Sequence, residues 1–145
     1  MTVPARSTLV TLGVADVTKA TEFYERLGWR PSSASVPGGV TFFPTNGVVV
    51  ALWSSAELAN DANLPYVEPP PFRGVAVAIN LANEAEVDAA LAAAAEAGGT
   101  LLKPGTRTDW GGYSGYFADP DGNAWEIAYN PHWPLDENDR PQLPA

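Results

Sequence analysis

Three consecutive prolines, Pro69-Pro70-Pro71, divide this chain near its middle, and the same order of local patterns runs on both sides of them. Before them, Thr8 to Val14 (TLVTLGV) reads as a β-branched strand. Asp16 follows as a helix N-cap, and Ala20, Phe23, Tyr24 and Leu27 recur at helical spacing until Gly28 ends the helix. Trp29 to Val36 is expected as an edge strand, since Pro31 cannot donate to a central ladder. Val40 to Phe43 and Val48 to Trp53 flank Pro44-Thr45-Asn46-Gly47, and Asn-Gly is a strong hairpin signal. Ser54 with Glu57 caps a short helix to about Asn60.

After the prolines the order returns. Gly74 to Ile79 reads as a strand. Asn83 with Glu86 opens a second helix with the stripe Val87, Ala90, Leu91, Ala94 and Ala95, ended by Gly98-Gly99. Thr100 to Lys103 is a short strand closed by Pro104-Gly105. Tyr113 to Ala118 and Asn123 to Asn130 are strands joined by Asp119-Pro120-Asp121-Gly122, a turn with Pro at its second position and Gly at its fourth. The repeated unit is therefore βαβββ, in an α+β chain. The expected boundaries are 1–63 for the first module, 64–72 for a proline-rich linker, 73–130 for the second module and 131–145 for a tail, within one structural domain. The linker reads as semi-rigid polyproline; a ligand for a proline-recognition partner is the sharper alternative. The tail, with its prolines and Asp136, Glu137 and Asp139, reads as a surface strap or as partly disordered.

Composition narrows the function. The 145 residues fit a single domain of ordinary size, ~100–200 residues. Eight Lys and Arg stand against 17 Asp and Glu, a net charge of −9, which disfavours nucleic acid and anionic membrane surfaces. Cysteine is absent, so disulfides, thiolate metal sites and thiol catalysis are excluded. The single histidine, His132, excludes any site built from several imidazoles and reads as a surface residue past the last strand. No apolar run approaches ~18 residues, and no signal-peptide pattern opens the sequence, so a soluble cytoplasmic protein is expected. Gly111-Gly112 does not open a helix after a strand, so nucleotide binding is not supported.

The strings LGVADVTKATEFYERLGW and FADPDGNAWEIAYNP, within the doubled βαβββ order, resemble the vicinal oxygen chelate superfamily of glyoxalases, bleomycin-resistance proteins and extradiol dioxygenases. The resemblance spans Leu9 to about Pro131. It implies two βαβββ modules, each a curved mixed sheet, that form a cup, and commonly a homodimer. It also implies four metal-ligand positions, which fall on Leu9, on Ala51 or Leu52, on Gly74 and on Glu126. Glu126 alone matches; the others cannot coordinate a cation through a side chain. One carboxylate holds a divalent ion weakly, so no metal and no cofactor are expected.

Strand alternation supports a hollow independently of the family. Val10, Leu12 and Val14 oppose Leu9, Thr11 and Gly13; Val75, Val77 and Ile79 oppose Gly74, Ala76 and Ala78; Trp125, Ile127 and Tyr129 oppose Ala124, Glu126 and Ala128. The bulky faces are expected to pack on helices and the small faces to leave room for a ligand. Glu126 then stands mid-strand on a small face, either as a structural carboxylate or as a ligand contact or general base. Trp53 shares the face of Ala51. Trp110, before two glycines, reads as core packing or as a lid, and Tyr116 lies on the closing hairpin. The candidate ligand-binding set is Glu126, Trp53, Trp110, Tyr116, Thr11 and Ala76, with Glu126 the one catalytic candidate. The expected function is metal-independent binding of a small aromatic or polycyclic molecule. The alternative is a glyoxalase-like lyase or isomerase, or a dioxygenase-type enzyme, that uses Glu126.

Overall fold

In the computed structural model, which describes residues 2–145, seven strands and three helices follow in the order β1 (Leu9–Val14), α1 (Val17–Arg26), β2 (Val40–Phe43), β3 (Val49–Ser54), α2 (Ser55–Asp61), β4 (Ala76–Asn80), α3 (Glu84–Glu96), β5 (Thr100–Arg107), β6 (Tyr113–Ala118) and β7 (Ala124–Tyr129). They form two mixed sheets, of order β1-β3-β2 and β4-β7-β6-β5. The fold is α+β. The chain divides into one unit up to Tyr66 and another from Val67, a division that falls within the proline-rich segment.

In the first unit β1 runs parallel to β3, and β2 runs antiparallel to it. Helix α1 starts where the Asp16 carboxylate accepts the Lys19 N–H and buries Val17, Ala20, Phe23 and Tyr24. Phe23 packs edge-on to Tyr24 at 5.0 Å, and Tyr24 meets Phe43 of β2 at 5.7 Å. The Thr21 and Thr41 hydroxyls, 2.7 Å apart, tie the helix to the sheet. Thr41, Phe43, Val50, Leu52, Val10, Leu12 and Val14 therefore share the helix-facing side.

The edge strand expected over Trp29 to Val36 does not form. The segment touches β2 through a Val36–Val40 bridge and a bond from Ser32 N–H to the Phe42 carbonyl. Its serines take over the rest: Ser35 Oγ accepts the Phe42 N–H at 3.0 Å, and Ser32 Oγ accepts the Ala34 N–H at 3.1 Å. Side-chain hydroxyls thus satisfy amides that a ladder would otherwise use. Trp29 packs at 5.2 Å from Tyr24, in the aromatic cluster.

In the second unit β4 is parallel to β7, while β6 is antiparallel to both β7 and β5. Asn83 caps α3 by accepting the Glu86 N–H, and Glu86 accepts the Ala82 N–H, so the reciprocal bond falls one residue earlier than in a standard capping box. Val87, Leu91 and Ala94 are buried on this helix, while Ala95 of the expected stripe is exposed. Leu91 enters the space left by Gly115, where a methyl group would stand 2.5 Å from Leu91 Cδ1. The Tyr113 hydroxyl donates to Asp88 of α3 at 2.7 Å. Tyr113, Gly115 and Phe117 therefore face the helix, together with Trp125 and Ile127 of β7.

Two boundaries differ from the sequence reading. Gly74 has φ of 83° and precedes the strand, so β4 begins at Ala76. Strand β5 continues through Pro104-Gly105 instead of ending there. It is an edge strand, where Pro104 need not donate, and two register shifts absorb the irregularity. The tail forms a small hairpin closed by a Leu135–Pro141 bridge, with Asp136 accepting the Asn138 and Arg140 N–H groups. No helix among the described residues is long and apolar enough to cross a membrane.

Candidate functional site

Apart from Trp110, the candidate residues fall on the sheet face of each unit that turns away from α1 or α3. In the second unit that face is fixed by register. Tyr116 lies opposite Glu126, Ser114 opposite Ala128 and Ala118 opposite Ala124 across β6 and β7. Ala78 lies opposite Glu126 and Ala76 opposite Ala124 across β4 and β7. Glu126 thus sits in the middle of a small-residue field. Ala76 and Ala78 are exposed, Ala124 and Glu126 are half-buried, and Ala128, at 4% exposure, is closed over. Gly74, ahead of the strand, takes no part in this face.

The structure brings Tyr116 and Glu126 together. The Tyr116 hydroxyl donates to Glu126 Oε2 at 3.2 Å. Burial, then the negative charge of Glu126, then the hydrogen bond to it hold the Tyr116 phenol above its usual pKa. The pair is a proton donor and a carboxylate side by side on adjacent strands. A neutral phenol is kept as donor, and the second carboxylate oxygen is left for another partner.

The strand order that places this pair depends on the β6–β7 turn. Asp119, at 2% exposure, accepts the Asp121 and Asn123 N–H groups through Oδ1 and the Asn123 side chain through Oδ2. Gly122 supplies the φ of 89° that the turn requires. Arg73 clamps the turn from outside, donating to Asn123 Oδ1 at 3.0 Å and to the Asp121 carbonyl. The turn motif was visible in the sequence. The Arg73 clamp was not, because nothing local ties Arg73 to a loop 48 residues on.

In the first unit Thr11 lies opposite Ala51, and Ala51 opposite Phe42; Gly13 lies opposite Trp53, and Trp53 opposite Val40. Thr11, Ala51 and Trp53 therefore share the face away from α1, and Leu52 points to the helix side. The face is not one of small residues throughout, since Phe42 and Trp53 occupy it. Ala51 is 1% exposed, while Thr11 and Trp53 are half-buried. Trp110 stands apart from both sets, on the loop between β5 and β6. Its indole lies across Gly112, and that loop is closed by bonds from Thr108 N–H to the Gly112 carbonyl, from Gly111 N–H to the Thr108 carbonyl and from Gly112 N–H to Thr108 Oγ1. Trp110, 47% exposed, is thus packed on its own loop.

A sequence model of the glyoxalase/bleomycin resistance protein/dioxygenase superfamily matches residues 7–127. The chain belongs to that superfamily. A glyoxalase-related enzyme from Fulvimarina pelagi is 34% identical, covers 98% of this chain and 100% of its own, and superposes with a TM-score of 0.87. A glyoxalase/bleomycin resistance protein/dioxygenase from Nocardioides is 29% identical over 99% of this chain and 93% of its own, with a TM-score of 0.73. A lactoylglutathione lyase from Agrobacterium tumefaciens, 23% identical over 92% of this chain and 99% of its own, shares the fold at a TM-score of 0.69. Among functionally curated proteins, none matches the chain.

The residues at the superfamily's metal positions do not fit a divalent cation. At the ligand positions that the resemblance implies, Leu9, Ala51 or Leu52, and Gly74 offer no side-chain donor, which leaves the Glu126 carboxylate alone. Among the described residues no three His, Cys, Asp or Glu side chains come together as a metal site. What this superfamily member keeps at the position is a carboxylate paired with a phenol.

Proposed function

We propose that the chain is a metal-independent binding protein for a small aromatic or polycyclic molecule, held against the β4-β7-β6 face of the second unit. The observation that carries this reading is the Glu126–Tyr116 pair standing among alanines. Ala76, Ala78 and Ala124 give a ring system a flat apolar seat, and the pair gives it one oriented polar contact. The donor-poor positions Leu9, Ala51 and Gly74 support a role without metal. Exposed Phe72, Val75, Leu101 and Leu102 in the same unit support the accompanying proposal of a homodimer.

A second reading, a metal-free lyase or isomerase, is favoured by the carboxylate oxygen that Tyr116 leaves open for a substrate proton. Native mass spectrometry of freshly purified protein, with elemental analysis of the same sample, separates these readings. A co-purifying organic mass on a dimer, with no stoichiometric transition metal, is the expected result. Near one equivalent of zinc, nickel, iron or manganese would overturn the metal-independent reading. A co-purified molecule that is released chemically altered would favour the enzyme.

A further inference from the structure

The hydrogen-bonding capacity of Glu126 is only partly used. Oε2 accepts from Tyr116, and no other described residue bonds to the carboxylate. Among the described residues no Lys or Arg forms an ion pair with it. Lys103 shares this face but stands one strand further off, across Tyr116, Arg107 pairs with Glu84 at 3.7 Å, and Arg73 is committed to the β6–β7 turn. The side chain is half-buried among Ala78, Ala124 and Ala128. A molecule that covers this face removes water from a charge that forms no ion pair among the described residues.

The chemistry of that step ranks ligands. A neutral hydrocarbon would bury a carboxylate with one oxygen unpaired, which is costly. An anion would add like-charge repulsion, against a chain that already carries −9. A protonated nitrogen would supply both the missing hydrogen bond and the missing charge, and such charge-assisted bonds are the strong ones. The neutral phenol of Tyr116 adds an aromatic ring beside the cation. We infer that Glu126 sets the specificity of this face, and that its ligand is a flat apolar frame bearing a protonated nitrogen. This inference rests on the small-molecule reading above and names the ligand class for the same site.

Equilibrium dialysis with three planar three-ring probes tests it: proflavine as cation, anthracene methanol as neutral frame and anthracene carboxylate as anion. The full chain is expected to bind proflavine about two- to fivefold more tightly than the neutral probe, the size a partly screened charge pair supports. Glu126→Gln should remove that preference, and Glu126→Asp should keep part of it. Glu96→Gln makes the same change in net charge on exposed α3, across the sheet, and should leave the preference intact. Full preference in Glu126→Gln, or equal loss in Glu96→Gln, would overturn the assignment to Glu126. Equal binding of all three probes would overturn the cation inference while the small-molecule reading stands. If none of the three binds, the small-molecule reading falls and the inference with it. Thermal melting of each variant guards against misfolding, and Glu126→Asp preserves the test if the glutamine variant fails to fold.

Discussion

The two units solve the same packing problem from opposite sides. In the first, the helix brings the large rings: Phe23 and Tyr24 of α1 are fully buried, Trp29 joins them, and apart from Phe43 the helix-facing sheet residues are aliphatic or Thr. In the second, the sheet brings them: Phe117 and Trp125 stack with rings 4° from parallel at 6.2 Å, and α3 contributes only Val87, Leu91 and alanines. Gly115 then makes room for Leu91. A helix and a sheet must fill the layer between them to crystal-like density, so volume on one surface calls for smallness on the other. The shared βαβββ order therefore does not require shared core residues.

The largest expected effects test this reciprocity. Phe23→Ala and Trp125→Ala should each cost about 3–5 kcal/mol in denaturant titration, although one ring comes from a helix and the other from a strand. A small loss for either would mean that its unit does not depend on its ring. A finer cut is Ala94→Leu in α3, which should cost about 1–3 kcal/mol by overpacking, because the sheet has already supplied the volume. Trp125→Leu in the same chain should recover part of that loss, and a double-mutant cycle reads the coupling. Strict additivity of the two changes would break the comparison. Gly115→Ala belongs to the same class, with the added methyl 2.7 Å from the Lys103 carbonyl as well as against Leu91.

Local chemistry made much of the fold legible in the sequence. Asp16 and Asn83 cap helices because their carboxylate and amide oxygens reach backbone N–H groups three residues on. Asp119 and Gly122 specify a turn for equally local reasons. The misread segments are those where non-local context decided. Pro31 and its neighbouring serines look like an edge strand until Trp29 is drawn into the α1 cluster and the hydroxyls take the amides. Pro104-Gly105 looks like a stop until the edge position of β5 makes a missing donor harmless. The alternation of small and large residues placed Glu126 on the correct face. It could not show that Tyr116 would stand opposite, since that depends on the β6–β7 register.

Alternation also predicts faces better than it predicts space, and a smaller effect exposes the difference. Ala76 and Ala128 share a face by alternation, and both would be open if the whole face were hollow. Ala76 is exposed, so Ala76→Phe should leave stability within about 0.5 kcal/mol. Ala128 is buried opposite Ser114, so Ala128→Phe should cost about 1–3 kcal/mol. Thermal melting of the two variants maps where the open part of the face ends. Equal tolerance would extend the seat along β7, and equal loss would remove it.

The smallest expected effect concerns the Tyr116–Glu126 pair. Burial and the Glu126 charge both disfavour the phenolate, so the folded chain holds the Tyr116 proton more tightly than the unfolded chain does. The folded state therefore binds more protons once pH passes the ordinary phenol value near ~10, and stability falls as pH climbs from there toward the raised value. Below that window the shift contributes no pH dependence. Glu126→Gln removes the charge but leaves the burial, so the Tyr116 phenol should titrate closer to its usual pKa without reaching it. Alkaline difference spectroscopy reads this directly, with Tyr116→Phe to assign the step, because Tyr113 beside Asp88 is raised as well. The Tyr113 step should not move in Glu126→Gln, since its main cause is the bond to Asp88 on the helix side of the sheet. If the Tyr116 step stays in place too, the carboxylate does not govern the phenol, and the case for a charge held open at Oε1 weakens with it.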